Sequence, residues 1–135
     1  MPVNIIYIED GGIVFKCEGV VTGRELMEAN KIIYKSPDET KKISYQIVDA
    51  TNFSDVSIST AEIEGIAILD KKAFEINPQM LIALVADRDI SFGFSRMWES
   101  FATDLPDRTM VFRNIENAQQ WIREELRKRS SPCSS

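Results

Sequence analysis

The chain has 135 residues, 44% hydrophobic and 27% charged, which suffices for one domain with an ordinary core and no metal or disulfide support. A net charge of −5 and a pI near 4.8 argue against nucleic acid as the main partner. The sequence contains no His, which excludes a Ser–His–Asp triad, a Cys–His pair and a His metal site and leaves carboxylates, Lys and Tyr as acid–base groups.

Two runs rich in β-branched residues, 4–9 and 13–21, are separated by Asp10-Gly11-Gly12. An Asp-Gly step between such runs predicts an antiparallel hairpin. Thr22 with Glu25 three residues on is a capping box and predicts a helix start. Leu26, Ala29 and Ile33, flanked by Met27 and Ile32, recur at helical spacing. That helix is expected to stop near Ser36, because Pro37 disfavours helical geometry at the residue before it. Residues 37–42 (PDETKK) read as a charged, exposed connection.

Residues 43–49 form the next predicted strand, ending in Asp49, and 51–58 a polar loop. Ser59 with Glu62 makes a second capping box. Ile63, Ile66, Ala67, Leu69, Ala73 and Ile76 give the following helix its buried stripe, and Asn77-Pro78 ends it. Residues 80–86 (MLIALVA) are apolar on both faces, as in a central parallel strand. A third helix is expected from Ser91, carrying Phe94, Met97, Trp98, Phe101 and Leu105 up to Pro106. A short strand at 109–113 follows, then a helix capped by Asn114 with Ile115, Ala118, Trp121, Ile122 and Leu126 turned inward.

The order ββαβαβαβα predicts an α/β domain, a mixed and mostly parallel sheet with an N-terminal antiparallel hairpin. One domain is expected over 1–129, with 130–135 a flexible tail. No apolar run approaches the roughly 20 residues of a membrane helix, and the first ten residues lack the pattern of a secretory signal, so the expected compartment is the cytoplasm. Cys17 is expected as a small core residue and Cys133 in the Ser-rich tail, unbridged.

The strand order, the segment after Asp49 and the run INPQMLIALVADRDISFGFSRMWES (76–100) resemble the SpoIIAA-like, or STAS-related, single-domain bacterial proteins. The order is also similar to the core of CRAL-TRIO lipid-transfer domains. The first resemblance implies a mixed sheet wound with helices and a regulator that binds partner proteins. In its anti-sigma-antagonist branch, a Ser in a D-S-x-G loop before the second helix is phosphorylated by a partner kinase. The corresponding region here reads Val56-Ser57-Ile58-Ser59-Thr60-Ala61. Ser59 is the nearest positional match, but no Asp directly precedes it and no Gly follows, so the usual phosphoserine switch is not expected.

Three groups of residues are candidates for function. Ser57, Ser59 and Thr60 lie where a helix N-terminus would favour a phosphate; Ser59 is equally an ordinary N-cap. Asp49, Asp87 and Asp89 would share one sheet edge if their strands are adjacent and parallel, a set suited to a hard cation or to local turns and caps. Phe92, Phe94, Trp98 and Phe101 exceed what one helix face needs and could line an apolar pocket or a dimer surface. Tyr45, Lys71 and Lys72 are expected at solvated or edge positions. Together these point to a non-enzymatic regulatory or protein-interaction module without cofactor or metal, acting through the 49–59 segment and the aromatic helix. The alternative is a carrier for a small apolar ligand, a lipid or fatty acid, and self-association as a homodimer suits either.

Overall fold

The computed structural model describes residues 3–86 and 109–130. Five strands form one sheet in the order β1-β2-β3-β4-β5, with β1 at Val3–Tyr7, β2 at Gly12–Thr22, β3 at Tyr45–Ser57, β4 at Leu81–Val85 and β5 at Thr109–Phe112. The β1–β2 pair is antiparallel and every other pair parallel. The helices are α1 (Gly23–Ile33), α2 (Pro37–Lys41), α3 (Thr60–Ile76) and α4 (Ile115–Ser130). The expected α/β class and the opening hairpin are therefore both present. Asp87, Asp89 and the aromatic helix with Phe92, Phe94, Trp98 and Phe101 lie outside the described residues.

The hairpin closes as its sequence demands. Gly12 N–H donates to Asp10 Oδ1 at 3.1 Å, and Ile8 N–H to the Gly12 carbonyl at 2.8 Å. The Tyr45 hydroxyl donates to the Asp10 carboxylate at 3.1 and 3.2 Å. Tyr45 itself is buried, which corrects the expectation of a solvated position: alternation along β3 turns its ring onto the sheet face that α4 covers.

Strand alternation divides the core in two. On one face α1 and α3 cover Ile13, Phe15, Cys17, Ile82 and Leu84. On the other, Ala118 and Ile122 of α4 pack on Tyr45, Ile47, Leu81, Ala83 and Val85, with Ile115, Trp121 and Leu126 partly buried around them. All five residues of β4 are buried, as its unbroken apolar run predicts. Cys17 is fully buried.

Two sequence expectations fail here for physical reasons. The polar segment 51–58 is strand to Ser57, not loop. It pairs with the second half of β2 through two register shifts, between Lys16/Glu18 and between Gly19/Val20, each placing an extra residue on β3. Such bulges break the two-residue alternation by which a strand is recognised. Gly19 carries φ +72° at the second shift, a conformation that glycine takes without a steric penalty. The charged connection 37–42 likewise contains the short helix α2, with Ser36 as N-cap accepting from Glu39 N–H at 3.1 Å and Pro37 in its first turn. Within α3, Phe74 and Asp70 are buried, whereas Ile76 is exposed and Leu69 half-buried. Ile32 of α1 is also exposed.

A polar network ties α1 and α3 to the sheet. The Tyr34 hydroxyl donates to Asp70 Oδ1 at 2.8 Å, and Gln46 Nε2 donates to that hydroxyl and contacts Met80 Sδ. Below α3, Asn77 Nδ2 donates to the carbonyls of Thr40 and Ile43 at 3.1 and 2.6 Å, fastening the helix end to α2 and the approach to β3.

Burial, aided by the charges of Asp49 and Glu25, pushes the Cys17 thiol up to about 12. Burial together with Asp10 pushes the Tyr45 phenol up to about 12. Burial and the Asp70 charge hold Tyr34 well above its usual value. Each group keeps its proton in the folded chain at pH values where the unfolded chain loses it. Their contribution is thus fully present below the ordinary thiol value near 9 and is lost as pH rises toward 12. Urea unfolding midpoints should be level with respect to these groups up to about pH 8.5 and fall steadily above it, with a shallower fall in Tyr45→Phe; a midpoint unchanged to pH 11 would contradict the arrangement.

Candidate functional site

The paired strands β2 and β3 end together, with Thr22 opposite Ser57, and each leads into a helix. Thr22 caps α1: its Oγ1 accepts from Glu25 N–H at 3.2 Å, and Thr22 N–H donates to Glu25 Oε1 at 3.2 Å. Ser59 caps α3 in the same way, its Oγ accepting from Glu62 N–H at 3.1 Å and its own N–H donating to Glu62 Oε1 at 2.9 Å. Both capping boxes expected from sequence are therefore formed. Gly23, the first residue of α1, lies so close to α3 that a Cβ there would stand 2.7 Å from Cβ and 2.6 Å from Cδ of Glu62. Two helix N-termini thus sit side by side at one edge of the sheet.

The electrostatics of this edge are self-contained. Each helix start carries a partial positive charge, and each has its own capping carboxylate, Glu25 or Glu62. Ser59 and Thr60 are exposed, as are Arg24 and Ala61 beside them. Ser57 is the last residue of β3. Asp49 lies further back along β3, opposite Lys16 of β2 and Val85, the last residue of β4. Its Oδ1 accepts from Thr51 N–H at 3.1 Å and from Thr51 Oγ1 at 2.6 Å, the local turn chemistry that short acidic side chains favour. β3 and β4 are adjacent and parallel, but Asp49 lies inside β3 and not at its end, and Asp87 and Asp89 lie outside the described residues. Among the described residues no group of three Asp, Glu or Cys is placed to hold a metal ion. Asp49 is thus separated from Ser59 and Thr60, at the start of α3, by eight further residues of β3 rather than by an open loop.

Sequence reasoning missed two surface features. Exposed Tyr7, Ile8 and Ile32 line a groove of about 180 Å³ beside the hairpin turn, with Lys35 and Lys42 also lining it. A second groove of about 330 Å³ runs between α4 and the sheet, floored by Val14 and Ile47 and walled by Ile122, Leu126 and Arg123. A signal for the first was available: Ile5-Ile6-Tyr7-Ile8 is an unbroken apolar run on what becomes an edge strand, where alternation is the norm.

The backbone as a whole matches the solved structure of the Bacillus cell fate determinant SpoIIAA in its phosphorylated form, with a TM-score of 0.60, 12% sequence identity, and coverage of 89% of this chain and 98% of that one. The chain therefore has a SpoIIAA-like fold, as the resemblance implies. No family model matches the sequence, and no curated protein does.

Replacing Ser59 with Ala removes one capping acceptor and should lower stability by about 1 kcal/mol in denaturant titration, while Ser59→Asp retains it. Gly23→Ala should destabilise by roughly 1–3 kcal/mol through overpacking against Glu62, outweighing the gain of about 1 kcal/mol that Ala brings to a helix interior; a stabilised Gly23→Ala would show that the two helix starts are not held together.

Proposed function

We propose that this protein is a non-enzymatic regulatory module that binds a partner protein through the edge formed by the starts of α1 and α3. The observation that supports this most directly is the juxtaposition of two capped helix N-termini on a SpoIIAA-like fold. The edge offers short exposed side chains, Ser59, Thr60 and Ala61, together with Arg24, on a frame anchored by the sheet. Such a surface is suited to docking rather than to proton transfer. Asp49, Ser57 and, beyond the described residues, Asp87, Phe92, Phe94 and Trp98 complete the proposed contact region. The setting is cytoplasmic in this reading. Among the described residues no helix is long and apolar enough to cross a membrane.

The binding is constitutive rather than switched by phosphoserine. SpoIIAA has been solved phosphorylated, but here the Ser59 backbone N–H is already held by Glu62 Oε1 at 2.9 Å. A phosphate on Ser59 would face that carboxylate, and like charges at this range repel. A carrier for a small apolar ligand is the second reading, favoured by the groove floored by Val14 and Ile47. Self-association would draw on β1, an edge strand with Ile6 and Tyr7 exposed.

Affinity capture from the native host, with wild type and variants compared, tests the first reading. Arg24→Glu and Ala61→Arg should weaken capture of the partner by tenfold or more, about 1.4 kcal/mol, while Gln120→Arg on α4 leaves it intact. Ser59→Asp should bind as wild type does; its loss would restore the phosphoserine switch. A native mass spectrum carrying a bound lipid mass would favour the carrier instead.

A further inference from the structure

Among the described residues β1 is an outer strand of the sheet, paired with β2 alone. Such an edge is ordinarily guarded by a charged residue, a proline or a bulge. β1 has none of these: it reads Val3-Asn4-Ile5-Ile6-Tyr7 and keeps an unbroken register with β2. Ile6 and Tyr7 are 42% and 64% exposed, and as strand neighbours they project to opposite faces, so the edge is apolar on both. The hairpin decides which backbone groups point outward. Ile8 N–H donates to the Gly12 carbonyl, so Ile8 turns its backbone groups toward β2. Antiparallel pairs alternate in this respect, and Ile6 opposite Val14 and Asn4 opposite Lys16 therefore turn inward as well. The N–H and C=O groups of Val3, Ile5 and Tyr7 point away from the sheet.

We propose that the free edge of β1 takes β1 of a second copy of this chain, antiparallel, with Ile5 opposite Ile5 of the copy. This deepens the self-association noted above by giving it a register and a symmetry. Val3 then lies opposite Tyr7 of the copy, and every outward N–H and C=O of Val3, Ile5 and Tyr7 is paired. A shift by two residues carries part of this set past the end of the facing strand. Val3 with Tyr7 is a β-branched–aromatic pair of the kind that stabilises sheets. A two-fold axis through the Ile5 pair makes the contact isologous and closed. Charge does not oppose it despite the net −5: β1 holds no ionised side chain, and Glu9 and Asp10 fall beyond the strand of the copy. α1 packs on β1 and β2, and the axis sets it antiparallel to its copy on the same face. Its exposed Glu28 and Lys31 supply both signs, as a surface that faces itself requires.

A strand of five residues makes a small contact of the weak class, so sedimentation equilibrium should give a dissociation constant of about 10–100 μM. Hydrogen exchange of the Ile5 and Tyr7 amides should slow by about threefold or more as the chain is concentrated through that range, in step with the dimer fraction. The amides of Asn4 and Ile6, already bonded to β2, should change little. Ile6→Lys restores an edge guard, and Tyr7→Pro deletes an outward donor where an edge strand tolerates proline; each should weaken association by about tenfold or more. Val20→Lys, on an equally exposed apolar residue of β2, should leave it unchanged. A chain that stays monomeric to about 500 μM overturns the proposal. So does a dimer in which the Ile5 and Tyr7 amides exchange as in the monomer, because another surface then makes it. Protection of those amides that needs an added protein or peptide rather than concentration also overturns it, since the edge then serves a different partner. Ala61→Arg, which tests the docking edge, should leave the dimer intact, so the two readings fail separately. If Tyr7→Pro does not fold, Ile6→Lys and the wild-type exchange decide.

Discussion

The side-by-side pairing of β2, β3 and β4 in chain order is the constraint from which most of the structure follows. Parallel neighbours need a crossover, and crossovers between parallel strands turn right-handed almost without exception. Two successive crossovers advancing the same way must therefore place α1 and α3 on the same face of the sheet. That face is where both are found. Once there, they start at the ends of neighbouring strands, and their N-termini are adjacent as a matter of geometry. Gly23 is the local price of that closeness, since any larger residue would collide with Glu62.

The second face obeys a different economy. Parallel strands are buried on both sides, and α4 alone among the described helices covers β3 and β4 there. The β1–β2 half of the face is less well covered, which is why Ile6 and Val20 are exposed and why a groove opens beside α4. Polar groups are distributed correspondingly. The face enclosed by two helices holds Asn30, Gln46 and Asp70 in its interior, the last two joined through the Tyr34 hydroxyl. The face covered by one helix keeps its polar contact at the rim, between Tyr45 and Asp10.

Much of this was legible in the sequence wherever one physical signal acted alone. The two capping boxes are chemical pairs at fixed spacing, and both formed as expected. The Asn114 cap, accepting from Asn117 N–H at 2.8 Å, and the apolar strand around Leu81–Val85 were equally plain. Signals were lost where two effects competed. Bulges scrambled the alternation of β3 beyond Asp49, so polar composition suggested a loop. Ser36 and Pro37 mark a helix start as readily as a chain break, and α2 was missed. Asp70 and Gln46 look like surface residues by type; only tertiary pairing shows why they are inside. Of the candidate site, Ser59 and Thr60 fell at the predicted helix start, whereas Asp49 belongs to a strand interior and not to its end.

The uneven strand lengths have a mechanical meaning. β4 accompanies β3 only from Tyr45 to Asp49, whereas β2 follows it to Ser57. Among the described residues, the proposed docking edge is thus held at the tip of a two-stranded ribbon rooted in a five-stranded base. A narrow ribbon twists more readily than a wide sheet, and the two extra residues of β3 lie at the root and middle of the overhang. Load applied at the helix starts would be taken up as torsion between those points before it reached the base. The bodies of α1 and α3 pack back over that base, with Ile13, Phe15, Ile82 and Leu84, so only the helix starts share the narrow ribbon.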